Sequence, residues 1–165
     1  MSNVVFLDID GVLNTWTSCV VAPSGEFKGI DDSRVRILKS AMNIGGFDGV
    51  VLTTTWKNIR NDNEDYLYMI NLLEKYGITI HGQTKDKFLT GREWGILEYL
   101  ENHPDVEDFV ILDDQHYGFD DHRKLWESYI DTKGLGIENS EYASETPAIS
   151  AMLFMNGLRQ TLDSE

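Results

Sequence analysis

The sequence predicts a three-layer α/β domain built on a mainly parallel sheet, and two observations carry that reading. Three short apolar runs, Val4–Leu7, Val50–Leu52 and Phe109–Leu112, each end abruptly in polar residues: Asp8-Ile9-Asp10-Gly11, Thr53-Thr54-Thr55 and Asp113-Asp114. Fully apolar runs of this length suit strands buried on both faces. Between them lie longer segments with apolar residues at helical spacing, so the chain repeats a strand–crossover–strand logic. In such a sheet the polar tips gather at one edge, where the carboxyl ends of parallel strands form ligand-binding loops.

Taken in order, Val4–Leu7 is the first strand and delivers Asp8 and Asp10 where the chain leaves it. Gly11 permits a sharp turn there. Two close carboxylates repel each other, and a divalent cation would neutralise them. Residues Thr15 to Gly29 contain Pro23 and Gly25 and have no helical period, which predicts a loop or small β-flap beside the site. Asp31-Asp32-Ser33 offers an N-cap, and Val35, Leu38, Ala41 and Met42 predict a helix over 32–44 that Gly45-Gly46 stops. The strand Val50–Leu52 then leads into Thr53 and Thr54, either of which can present its hydroxyl at the sheet edge.

Residues 59–76 carry Tyr66, Met69, Ile70, Leu73 and Tyr76 at helical intervals before Gly77, and Ile78–Ile80 reads as a short strand. His81 beyond it is expected to be structural or solvated. Thr90 and Glu93 form the Thr-x-x-Glu pattern of a capping box for a helix carrying Trp94, Leu97 and Leu100. Three cations, Lys85, Lys87 and Arg92, precede or open that helix. After Phe109–Leu112, adjacent Asp113 and Asp114 are poorly explained by packing, because an isolated buried charge is expensive. His116, Asp120, Asp121 and His122 match no strong metal-ligand spacing and read as a surface loop. A further strand is expected within Leu125–Thr132, and a C-terminal helix from Pro147, weakened by Gly157.

Length and composition narrow the class. The 165 residues suit one domain spanning the chain, and 41% hydrophobic with 25% charged residues is ordinary globular composition. A formal charge of −14 argues against broad adhesion to nucleic acid or an anionic membrane, though a metal and a few cations can still create a local anion site. Cys19, alone, fits a reducing compartment and is expected to be a buried or half-buried structural residue. With no signal-like N-terminus and no apolar stretch of ~20 residues, a cytoplasmic protein is expected.

The stretch Phe6–Asn14 resembles the first motif of the haloacid dehalogenase (HAD) superfamily, an apolar strand followed by Asp-x-Asp-Gly. Val50–Thr55 is similar to the second motif, and Phe109–Asp114 to the fourth. Arg92, ahead of Gly95-Ile96-Leu97-Glu98-Tyr99-Leu100, and the turn Gly134-Leu135-Gly136 resemble the small capless HAD domains associated with RNA repair. The resemblance covers roughly residues 3 to 136. It implies a Rossmann-like fold with little or no cap and phosphoryl transfer through an aspartyl-phosphate. Asp8 would then be the nucleophile, Asp10 the general acid and base, Thr53 (or Thr54) a phosphoryl donor, and Arg92, with Lys87 and Lys85 as rivals, the countercharge. Mg²⁺ would be held by Asp8, the backbone carbonyl of Asp10, and Asp113, with Asp114 a ligand or its neighbour. The expected substrate is a phosphate ester: a small molecule, a nucleotide or a nucleic-acid end that Trp16, Phe27, Trp56 or Tyr117 could stack against. A catalytically silent metal- or phosphate-binding module, or a protein-interaction module, of the same fold is the alternative. Nothing in the sequence specifies an oligomeric state.

Overall fold

The computed structural model describes residues 2–60, 62–86 and 91–165. Among these residues six strands form one sheet: β1 (Ser2–Leu7), β2 (Gly49–Leu52), β3 (Ile80–Gln83), β4 (Val106–Asp113), β5 (Tyr129–Asp131) and β6 (Glu141–Tyr142). Their order is β3-β2-β1-β4-β5-β6. Every neighbouring pair is parallel except β5 with β6. The α-helices that flank the sheet among the described residues are α1 (Asp32–Gly45), α2 (Glu64–Lys75), α3 (Arg92–Asn102), α4 (Arg123–Ser128) and α5 (Ile149–Asp163).

Alternation along the strands sorts the layers. Val5, Leu7, Val50, Leu52, Val110 and Leu112 face one core, shared with Leu38 of α1, Leu73 of α2 and Phe154 of α5. Val4, Phe6, Val51, Phe109 and Ile111 face the other, shared with Ile96 of α3 and Leu125 of α4. The chain steps outward from β1 to β3 with helices on the first face. It then returns across β1 to β4 and β5 with helices on the second, as a constant crossover hand requires. The direction of travel reverses between β1 and β4, which is where open α/β sheets bind ligands.

Several element boundaries depart from the periodicity. The helix expected over 59–76 starts only at Glu64, because Thr55–Asn58 makes a separate 3₁₀ turn and the Asn63 side chain caps α2 by accepting from Asp65 N–H at 2.8 Å. β3 lies at 80–83 rather than 78–80. The first half of Leu125–Thr132 is the end of α4, and only 129–131 is strand. Thr90, the expected cap of α3, and Lys87 lie outside the described residues; Gly91 occupies the N-cap position. Gly157 does not interrupt α5: a Cβ there would sit 2.5 Å from the carbonyl oxygen of Ala41, so glycine lets α5 press onto α1. Residues 15–29 form a small flap, with an antiparallel bridge between Val21 and Lys28. Cys19, expected to be at least half-buried, is an exposed free thiol on that flap.

Candidate functional site

Asp8 and Thr53 are each carried one step past a strand by a continuing ladder bond, and Asp113 is the last residue of β4. Asp8 N–H donates to Leu112 C=O at 3.0 Å, and Thr53 N–H donates to Leu7 C=O at 3.0 Å. The alternation that turns Val4 and Phe6 toward α3 therefore turns Asp8 the same way, and it does the same for Thr53 after Val51 and for Asp113 after Ile111. The parity of three strands, together with the start of α3, brings Asp8, Thr53, Asp113 and Arg92 to one place. Phe6 meets Tyr99 of α3 and Phe109 of β4 edge-on at 5.7 and 5.6 Å, which fixes α3 directly beneath the site.

Asp8, Asp113 and Asp114 each present a carboxylate oxygen within 4.8 Å of the others, the one such acidic group found among the described residues. Arg92 Nη1 lies 3.0 Å from Asp8 Oδ1 and 2.7 Å from Asp113 Oδ2. Burial pushes the Asp8 carboxyl well above the usual range; the neighbouring Asp113 adds to this and Arg92 opposes it. Asp113 is likewise pushed up to about 6, mainly by burial, against the pull of Arg92 and the Gln115 N–H. Burial alone would lower the Arg92 guanidinium, but the two carboxylates outweigh it and hold it firmly protonated. An all-carboxylate cluster whose charge is this poorly tolerated fits a hard divalent cation such as Mg²⁺.

Gly11 makes room for that cluster. Its φ is +83°, and a Cβ would stand 2.6 Å from Asp114 Oδ2. Its carbonyl accepts from the Thr132 hydroxyl at 2.8 Å and from Gly136 N–H at 3.1 Å, so the Gly134–Gly136 turn braces the Asp8–Gly11 turn.

The hydroxyls at the tip of β2 divide. Thr54 Oγ1 accepts from Trp56 N–H at 3.3 Å and caps the 3₁₀ turn. Thr53 Oγ1 is buried, with the residue 1% exposed, and has no hydrogen-bond partner among the described residues. The Asp10 carboxylate is not part of the acidic cluster. It turns toward Trp56, whose Nε1–H donates to Oδ2 at 3.1 Å, and toward Asn14, whose Nδ2 donates to Oδ1 at 3.0 Å.

Among the expected stacking residues, Trp56 is buried at 1% exposure and cannot receive a ligand ring. Phe27 packs against it at 5.3 Å, and Tyr117 lies over Arg92 at 5.0 Å. Trp16 stands free at 77% exposure on the rim of an open hollow of about 410 Å³ that Asp10, Asn14, Phe27 and Asp114 also line.

Sequence reasoning overlooked two supports, Lys57 and Asn14, and read a third, Tyr117, only as a stacking residue. Lys57, fully buried, reaches Thr53 C=O at 3.3 Å and Asp86 at 2.8 Å. Tyr117 adopts a positive φ of 43°, an uncommon conformation for a bulky residue, and its loop is tied to α3 where Gly118 N–H donates to Glu93 at 3.1 Å. Asn14 was visible in the first motif but carried no signal of its hydrogen bonds. Lys85 lines a separate hollow between β3 and α3. His81 pairs with Asp48 at 2.8 Å, and His116, Asp120 and Asp121 are exposed.

No helix among the described residues is long and apolar enough to cross a membrane. No curated protein and no solved structure gives a significant match to the chain. A family model described as the HAD domain in Swiss Army Knife RNA repair proteins matches residues 4–141. That span runs from within β1 through β5 and takes in every residue of the site, and the chain belongs to this family of HAD domains.

Proposed function

We propose that the chain is a Mg²⁺-dependent phosphomonoester hydrolase acting through an aspartyl-phosphate on Asp8. The observation that carries this reading is the hydroxyl of Thr53. A buried donor without a partner is disfavoured by about 1–3 kcal/mol. An acceptor brought in from outside the chain removes that penalty, and a phosphoryl oxygen beside Asp8 is such an acceptor. Thr53 is preferred to Thr54 because the Thr54 oxygen already caps a turn.

In this reading an Asp8 oxygen attacks phosphorus, and the bond to the ester oxygen breaks with its electron pair leaving on that oxygen. Asp10 gives the departing oxygen its proton. Asp10 then takes a proton from the water that attacks the phospho-Asp8, which releases phosphate and restores both carboxyl groups. Arg92 offsets the phosphoryl charge and holds Asp8 in place. Asp8, Asp113, Asp114 and the Asp10 carbonyl would hold the Mg²⁺, which would neutralise the carboxylates and phosphoryl oxygens so that one anion can approach another.

The leaving group would occupy the hollow lined by Asp10 and rimmed by Trp16. Residues 15–29 would be the whole of the cap on a single catalytic domain spanning 1–165. So open a site suits a nucleotide or a nucleic-acid end as well as a smaller ester, with Trp16 able to stack on a base. The exposed thiol of Cys19 fits a reducing, cytoplasmic setting.

The test is phosphate release from a panel holding an aryl phosphate, nucleoside monophosphates and oligonucleotides phosphorylated at either end. It is run with and without Mg²⁺ and with Asp8→Asn alongside. Release that needs metal and disappears in Asp8→Asn is expected. Full activity in Asp8→Asn would overturn the nucleophile. Metal binding with no turnover across the panel would favour a binding module.

A further inference from the structure

We infer that Trp56, together with Asn14, is a positioning residue that aims the Asp10 carboxylate at the leaving group; this rests on the phosphatase reading above. Asp10 is exposed and sits on a turn, so its side chain would otherwise sample several rotamers. Instead each of its oxygens has a fixed donor: Trp56 Nε1–H on Oδ2 at 3.1 Å and Asn14 Nδ2 on Oδ1 at 3.0 Å. Each oxygen keeps a further lone pair for the proton it exchanges with the ester oxygen or with water.

Neither donor is free to wander. Asn14 Oδ1 accepts from Gly11 N–H at 3.0 Å, and its Nδ2 also donates to Gly29 C=O at 3.1 Å. The Trp56 indole is wedged between Phe27, at 5.3 Å, and Tyr68, at 6.5 Å. Its backbone is held in the 3₁₀ turn that Thr54 caps, only three residues after Thr53. The tip that offers the unpartnered hydroxyl therefore also carries the group that orients Asp10. The flap takes part as well. Phe27 backs the indole, and the flap is pinned to α2 where Ser24 N–H and its hydroxyl both donate to the buried Asp65 carboxylate, the first at 3.0 Å. The wall beside the leaving group is thus a fixed one, and Asp10 is held against it before substrate arrives, which is the preorganisation that proximity catalysis requires.

A buried indole N–H that only needs an acceptor would make the same contact, so the test must separate orientation from packing. A general acid matters when the leaving oxygen is a basic alkoxide and matters little for p-nitrophenolate, which leaves unprotonated. The experiment compares wild type, Trp56→Phe and Tyr68→Phe on p-nitrophenyl phosphate and on an alkyl phosphomonoester. The alkyl ester is whichever of glycerol phosphate and the nucleoside 5′- and 3′-monophosphates the wild type turns over fastest. Trp56→Phe is expected to lower kcat/KM on the alkyl ester about tenfold to a hundredfold, part of what general acid catalysis contributes, with kcat/KM on p-nitrophenyl phosphate within about threefold, because kcat/KM covers only the steps through departure of the leaving group and not the hydrolysis of phospho-Asp8 that both esters share. Tyr68→Phe, which removes the hydroxyl bonded to Ile30 but leaves Asp10 its donors, should keep the wild-type ratio of the two esters. An equal fall in kcat/KM on both esters in Trp56→Phe would make Trp56 a packing residue and overturn the inference.

A second measurement does not depend on turnover. The indole N–H resonance of Trp56, assigned through the backbone in the wild-type protein, should shift when exposed Asp10 is changed to Ala. An unmoved resonance removes the hydrogen bond and the inference with it. If the resonance moves while the wild type releases no phosphate from either ester, the phosphatase reading is what fails, and the assignment of a catalytic task to this contact goes with it.

Discussion

Arg92 Nη1 stands 3.0 Å from Asp8 Oδ1, placing a protonated guanidinium against the carboxylate proposed as nucleophile before any ligand is bound. The same nitrogen serves Asp113, so one cation restrains two buried acids. Removing one member of a buried charged set leaves the others uncompensated, at a cost of about 3–5 kcal/mol. Arg92→Met should therefore lower the free energy of unfolding by roughly that amount in chelator, and by less with Mg²⁺ present. Phosphate release should fall at least about a hundredfold, as expected when an electrostatic stabiliser is lost. Arg92→Lys, a point charge without the fork, should be intermediate. Denaturant titration and steady-state kinetics check both. Unchanged kinetics in Arg92→Met would pass the countercharge role to Lys85 or Lys87.

The two buried threonines at the tip of β2 should respond in opposite ways. Thr53→Val deletes a hydroxyl with no partner among the described residues, so stability should hold or rise by about 1 kcal/mol. The same change removes a proposed hydrogen bond to the phosphoryl group, and kcat/KM should fall about tenfold to a hundredfold, the size of one hydrogen bond to a charged group. Thr54→Val deletes a cap instead and should cost about 1 kcal/mol in stability. If Thr54→Val loses activity and Thr53→Val does not, the assignments exchange.

What the sequence made legible follows from how far each signal travels. Apolar runs ending in carboxylates or hydroxyls are local features, and a parallel sheet converts them into a common edge; the gathering of Asp8, Thr53 and Asp113 at that edge was readable for that reason. Arg92 was one cation among three because nothing local says which of Lys85, Lys87 and Arg92 meets the carboxylates across the sheet. Trp56 reads as a site aromatic from its position after Thr53, yet whether its ring or its N–H faces the site depends on Phe27 and Tyr68, which come from the flap and α2. Cys19 was misjudged because the flap has too little core to bury it. The helix expected from residue 59 was overextended because Ile59 packs against the core without belonging to α2.

Gly157 offers a test of the packing that propensity alone gets wrong. In a helix interior Gly→Ala ordinarily gains about 1 kcal/mol. Here the new methyl would stand 2.5 Å from the Ala41 carbonyl oxygen, so α1 and α5 would have to part. Gly157→Ala should instead destabilise by about 1–3 kcal/mol, as overpacking does, and thermal melting reads the sign directly. A raised melting temperature would mean that the two helices can separate without loss.

The metal-free protein should carry a pH signature from its acidic cluster. In Asp113 the folded-state carboxyl is raised from 3.8 to about 6, and Asp8 moves in the same direction, first because of burial. Well below about pH 4 both groups are protonated whether the chain is folded or not, and they contribute nothing to the pH dependence. Between that point and their folded-state values the native state holds protons that the unfolded chain has released. Unfolding then releases protons, and stability falls as pH rises. The penalty is complete above the folded-state values, and for Asp113 it is at most about 3 kcal/mol. Asp113→Asn removes that group's share and also the part of the Asp8 shift that Asp113 causes, and both act in the same sense, so in chelator the variant should gain on the wild type as pH rises from about 5 to about 7. Added Mg²⁺ should act in the opposite sense, because it binds the ionised carboxylates of the folded chain. Its stabilisation of the wild type should be larger at pH 7 than at pH 5 and should be reduced in Asp113→Asn. Chelator melts in which wild type and variant run parallel across this range would mean that Arg92 already keeps Asp113 ionised at the acid end, with the burial penalty met elsewhere in the fold.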